Sequence, residues 1–106
     1  MREDIYKELI EVAWAHEFTN YTKIGALVGL QPYDSDLWAM LDDINRFEHE
    51  NKRPLISALV VVQGKDEPGP GFWACAVRLG EFTWGGDKNR FWSEQLNSVW
   101  DYWASH

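Results

Sequence analysis

The chain has 106 residues, 17 acidic and 10 basic, for a formal net charge of −7. That length makes one domain, 1–106, and 45% apolar with 25% charged residues is ordinary usage for a folded protein, which excludes intrinsic disorder. The lone cysteine, Cys75, excludes an internal disulfide, and no Cys/His cluster suggests a zinc site, so no cofactor or metal is expected. No apolar run approaches the roughly 20 residues that span a bilayer, and the first twenty residues hold no apolar leader core. The expectation is a cytoplasmic protein with no membrane contact.

The first predicted element is an amphipathic helix over 3–17, where Ile5, Leu9, Val12 and His16 recur at helical spacing and Glu3 and Asp4 complement the dipole of the first turn. Thr19-Asn20 offers an N-cap for a short second helix over 21–28, and Gly29 is its natural stop. Gly25 lies in the middle of that helix at a cost of about 1 kcal/mol against Ala, read either as a tolerated weakness or as the close approach of another helix. Residues 30–35 form a linker. Ser35 is the expected cap of a third helix over 36–51, with Leu37, Leu41 and Ile44 inward and Asp36, Asp42, Asp43, Arg46 and Glu50 outward.

Leu55 to Gln63 reads as a β-strand, short, rich in β-branched residues and bounded by Pro54 and Gly64, with both faces apolar. A Gly/Pro-rich loop follows over 64–71. Phe72 to Leu79 is expected as a helix, with a second strand closing a hairpin as the alternative. Asp87 then caps a final helix over 88–104, striped by Trp92, Leu96, Val99 and Trp103.

Few residue constellations here support chemistry. Glu48-His49-Glu50 places a histidine between two carboxylates, but sequence neighbours on a helix diverge and do not converge on a metal. The same holds for Asp42-Asp43. The 64–71 loop lacks the Lys-Ser/Thr pair of a phosphate loop, and Asp66 and Glu67 would repel phosphate. Ser57, the one hydroxyl within the apolar run, needs a positioned base to act as a nucleophile, and His49 is the nearest in sequence. Cys75 sits between alanines and reads as a small buried hydrophobe.

Charge separates the partner classes. Nucleic-acid binders draw affinity from neutralised phosphates, and this chain has only short basic runs, at Lys52-Arg53 and around Lys88 and Arg90. An acidic domain suits a basic protein partner. Seven tryptophans (14, 38, 73, 84, 92, 100 and 103) are enough both to fill a core and to leave an exposed anchor.

Two resemblances bear on these residues. The stretch Tyr21 to Leu30 is similar to the helix that opens the DNA-binding part of the alkyltransferase-like proteins, and the order of helix, Pro-containing strand, Gly-rich loop and helix that follows is also similar. That resemblance implies a winged-helix-like fold over about 20–80. The reactive Pro-Cys-His-Arg motif of that family is missing, since Ser57 stands near the place of the cysteine with no histidine beside it, so alkyl transfer is not implied. The second half resembles uncharacterised small bacterial domains that carry Arg-Pro-x-x-Ser-Ala-x-Val-Val and Pro-Gly-x-Gly-Phe segments. Here Arg53-Pro54, Ser57-Ala58, Val60-Val61 and Pro68 to Phe72 match them. That match marks Arg53, Ser57, Pro68, Gly69 and Gly71 as a candidate polar site.

The expected architecture is α+β and mostly helical, four or five helices around a short strand or β-hairpin, in the winged-helix-like form that the first resemblance implies. The expected function is a non-catalytic, inhibitor- or immunity-type module that binds a basic protein through the third-helix face of Asp36, Asp42, Asp43, Arg46 and Glu50. A winged-helix-like DNA-binding protein is the alternative, which charge disfavours.

Overall fold

The apolar stripes become helices, three of them started by a polar cap. The computed structural model describes residues 1–106. Helix α1 (Glu3–Trp14) buries Ile5, Leu9 and Ala13. It ends three residues short of the expected 17. The chain instead turns through His16, whose φ is 56°, so His16 is exposed and stacked on Trp100 at 4.1 Å rather than lying on a helical stripe. Helix α2 (Tyr21–Val28) starts at Asn20, whose side chain accepts from the Lys23 amide at 2.8 Å, and stops at Gly29 with φ 72°. Gly25 is required sterically: a Cβ there would lie 2.5 Å from the Leu30 carbonyl oxygen, with Leu37 beside it.

Helix α3 (Ser35–Glu50) is capped by Asp34, which accepts from the Asp36 amide at 2.8 Å, so Ser35 is the first helical residue and not the cap. Helix α4 (Pro70–Arg78) fulfils the helical reading of 72–79, with Pro70 in the first turn, where its missing N–H costs nothing. Helix α5 (Lys88–Ala104) starts at Asp87, which accepts from the Arg90 amide at 3.0 Å.

The expected strand over 55–63 does not form at that length. Ile56–Leu59 is a turn of 3-10 helix, and only Val60–Val61 is extended. Those two residues (β2) pair in parallel with Thr19–Asn20 (β1), in the register Thr19 to Val60 and Asn20 to Val61. The pairing is not an antiparallel hairpin, and the loop after β2 leads into α4. The physical reason is the neighbourhood of the segment. It packs against α1, α3 and α5, so no strand ladder flanks it. Side chains satisfy its backbone instead. Gln95 accepts from the Leu55 amide at 2.9 Å, and Trp92 donates to the Ala58 carbonyl at 2.9 Å.

This α+β, mostly helical fold of five helices and a two-stranded sheet is centred on that segment. Leu55, Ile56, Leu59 and Val60 are 0% exposed, each contributing about 1.5–3 kcal/mol by burial. No helix is long and apolar enough to cross a membrane.

Candidate functional site

Two polar clusters lie inside this core, and α3 builds both. Its inward stripe of Leu37, Leu41 and Ile44 continues through Asn45 and Glu48, which are 1% and 0% exposed.

Asn45 anchors the first cluster. Its amide donates to Ser57 Oγ at 2.6 Å, and its oxygen faces the Ser57 amide at 3.4 Å. Tyr21, at the start of α2, accepts from the Gly69 amide at 3.0 Å. With Trp38, Asp42 and Gly71 these residues line a cavity of about 10 Å³, about the size of one water molecule. A Cβ at Gly69 would lie 3.1–3.2 Å from the Tyr21 ring and hydroxyl, so Tyr21 would have to give way slightly to admit one. Past Tyr21 and Trp38 a groove of about 480 Å³ opens, lined also by Pro32, Tyr33, Lys65 and Pro70.

Glu48 anchors the second cluster. Its Oε1 accepts from the Tyr6 hydroxyl at 2.6 Å and from Arg53 Nε at 2.9 Å, and the Arg53 guanidinium lies 5.0 Å from the centre of the Phe47 ring. The other oxygen, Oε2, is buried without a partner. Burial first, and then the bond to Glu48, push the Tyr6 hydroxyl far above the ordinary tyrosine range.

The structure therefore divides the residues that the sequence grouped. Ser57 and Gly71 line the small cavity, Gly69 braces it through Tyr21, and Pro68 is buried beside Gly69. Arg53 belongs to the other cluster, held by Glu48. Asn45, Tyr21 and Glu48 were missed as partners. The signal for Asn45 and Glu48 was available, because 37, 41, 44/45 and 48 continue one helical stripe.

The chemistry open to these clusters is limited. Ser57 Oγ accepts from an amide, where a nucleophile would need a base. His49 Nδ1 sits 3.0 Å from Glu81, not at Ser57. Burial, reinforced by Asp42, pushes the Cys75 thiol up to about 11, so it is a protonated thiol and not a reactive thiolate. The Asp42 carboxyl is also pushed up, because its burial outweighs the nearby Arg78.

The outer face of α3 is largely neutralised within the fold. Asp42 pairs with Arg78 at 2.6 Å and Asp43 with Arg46 at 2.5 Å. Of the five expected partner-binding residues, Asp36 and Glu50 alone stand exposed without an ion pair. A richer surface lies between α1 and α2. There a groove of about 370 Å³ is lined by Val12, Phe18 and Leu27 together with Glu8, Glu17 and Lys23. Phe18 and Leu27 are roughly half exposed, as is Trp14 at the end of α1. Phe18 meets Trp100 edge-on at 5.3 Å, which fixes its ring.

Comparison with protein-family models, with curated proteins and with solved structures found no match.

Proposed function

We propose that this protein is a non-catalytic, cytoplasmic, protein-binding module of the inhibitor or immunity type, whose acidic, tryptophan-bearing surface engages a basic protein. One observation carries the reading. Each of the five arginines is paired with one carboxylate (Arg2 with Asp4, Arg46 with Asp43, Arg53 with Glu48, Arg78 with Asp42, Arg90 with Glu94). That leaves twelve of the seventeen carboxylates without an arginine. Of the residues that could have formed a positive groove, Arg53, Arg78 and Arg90 each face a carboxylate and Lys88 lies against two indole rings, which leaves exposed Lys52 without a partner and supports the reading against a continuous positive groove. Phosphate recognition needs cations free to release counterions, and this surface offers mainly anions.

The docking face of this reading is the α1–α2 groove. Its half-exposed Phe18 and Leu27 supply apolar contact, and Glu8 and Glu17 supply attraction for a basic rim. The test is affinity capture from the source organism with mass-spectrometric identification, using three forms of the protein. The wild type is expected to retain a basic protein, the E8K/E17K variant to lose most of it, and a D36K/E50K control on α3 to keep it. Capture that survives E8K/E17K but not D36K/E50K would return the interface to α3. Retention of nucleic acid alone would overturn the reading.

A further inference from the structure

A pair of indole rings meets a lysine on another surface, at the turn before α5. Thr83 to Gly86 is a tight turn closed by the Gly86 amide donating to the Thr83 carbonyl at 2.9 Å, and Gly85 takes φ 91° within it. Positive φ is strained for other residues, so Gly85 is what lets this turn form. The turn holds Trp84 outward, 56% exposed, with its ring edge-on to Phe82 at 6.4 Å. Phe82 in turn packs on Trp73 at 5.1 Å, and both are 8% exposed. The result is a notch with one buried indole and one exposed indole.

The Lys88 ammonium occupies this notch, 5.3 Å from the centre of the Trp73 ring and 5.6 Å from that of Trp84. Two features of this placement point to a cation site and not to incidental packing. Lys88 is the first residue of α5, where the helix dipole disfavours a positive charge, so another interaction has to hold it there. The ammonium pairs with no carboxylate and takes the two ring faces. Indole faces attract cations through their quadrupole, and they favour alkylated ammonium groups that shed water cheaply.

We propose that the Trp73–Trp84 notch is a receptor for an alkylammonium group, filled in the free protein by Lys88 and opened by exchange to a lysine or methylated lysine of another protein. Exchange replaces one ammonium with another, so charge is conserved at the site. The outward face of Trp84 gives the incoming group its path. Lys88 thus acts as a built-in competitor that weakens the site, and removing it should strengthen binding about three- to sixfold, given the ordinary strength of an exposed cation–π contact.

The test needs no natural partner and stands independently of the function proposed above. Tetramethylammonium chloride is titrated against the full chain, with sodium chloride at equal ionic strength as the blank. The signals are the Lys88 side-chain proton shifts and tryptophan fluorescence. In the wild type, the Lys88 Hε protons are expected upfield of those of the other lysines, moving downfield as tetramethylammonium enters. K88M is expected to bind the probe about three- to sixfold more tightly, and W84A to lose both the upfield shift and the binding. Near-UV circular dichroism checks that each variant is folded. Lys88 protons with no ring-current shift would overturn the proposal, as would probe binding that is unchanged in K88M or retained in W84A.

Discussion

Two arginine–carboxylate pairs whose carboxylates both lie on α3 make unequal contributions to the molecule. Arg46 and Asp43 are 2.5 Å apart, with side chains 60% and 38% exposed. Arg53 and Glu48 are 2.9 Å apart, but their exposures are 19% and 0%. The shorter contact is the weaker one, because water screens it and two mobile side chains must be ordered to make it. The longer contact neutralises a carboxylate that has no access to water, so its loss leaves a buried charge uncompensated. Distance alone ranks them wrongly, and burial ranks them correctly.

The variants that break this comparison fall in order of size. R53M keeps the length of the side chain and removes its charge, and is expected to destabilise the fold by about 3–5 kcal/mol in urea denaturation. A loss below about 1 kcal/mol would mean that Tyr6 alone suffices for Glu48. N45A is expected to cost about 1–3 kcal/mol, since it strips the Ser57 hydroxyl and amide of their partner beside an existing cavity. Alkaline pH should come next. The Cys75 thiol is raised from 9.0 to about 11 by burial, and the Tyr6 and Tyr21 hydroxyls are raised by burial as well. The folded chain therefore holds protons that the unfolded chain has released. This stability is fully present below pH 9.0 and is lost as pH rises through about 11. In C75A, the urea midpoint should hold steady until the tyrosines begin to titrate; an unchanged early decline would assign it elsewhere. R46A is the smallest effect, at most about 1 kcal/mol, and smaller still in high salt.

The same contrast explains what could be read from sequence. Helices α2 and α5 were legible because an apolar stripe and a capping side chain agree, at Asn20 and Asp87, whereas α1 has no side-chain cap and α3 is capped by Asp34 and not Ser35, so those two were legible from their stripes. Segment 55–63 misled because its first six residues, 55–60, are all buried. A continuous apolar run carries no period to separate a strand from a 3-10 turn. What decides its conformation is remote: Gln95, Asn45 and Trp92 reach its backbone from α5 and α3. The polar site was legible in part. Gly69, Gly71 and Ser57 do gather, but Arg53 is drawn off by Glu48, a residue first read as part of an unremarkable charged triplet. The third-helix acids illustrate the limit of counting charges. The i,i+3 spacing of Asp43 and Arg46 is readable along one helix, but the partner of Asp42, Arg78, is 36 residues away and is found only in three dimensions.

Each arginine faces a carboxylate, which leaves a net anionic surface, and the proposed basic partner is matched to that surface. Fluorescence anisotropy tests that match most directly, with a labelled DNA duplex and a labelled lysine-rich amphipathic peptide each titrated with the protein at about 50 mM salt. A saturable rise is expected with the peptide, reduced in E8K/E17K, and a flat trace with the duplex. A saturable rise with the duplex that falls steeply with salt, beside a flat trace with the peptide, would contradict it.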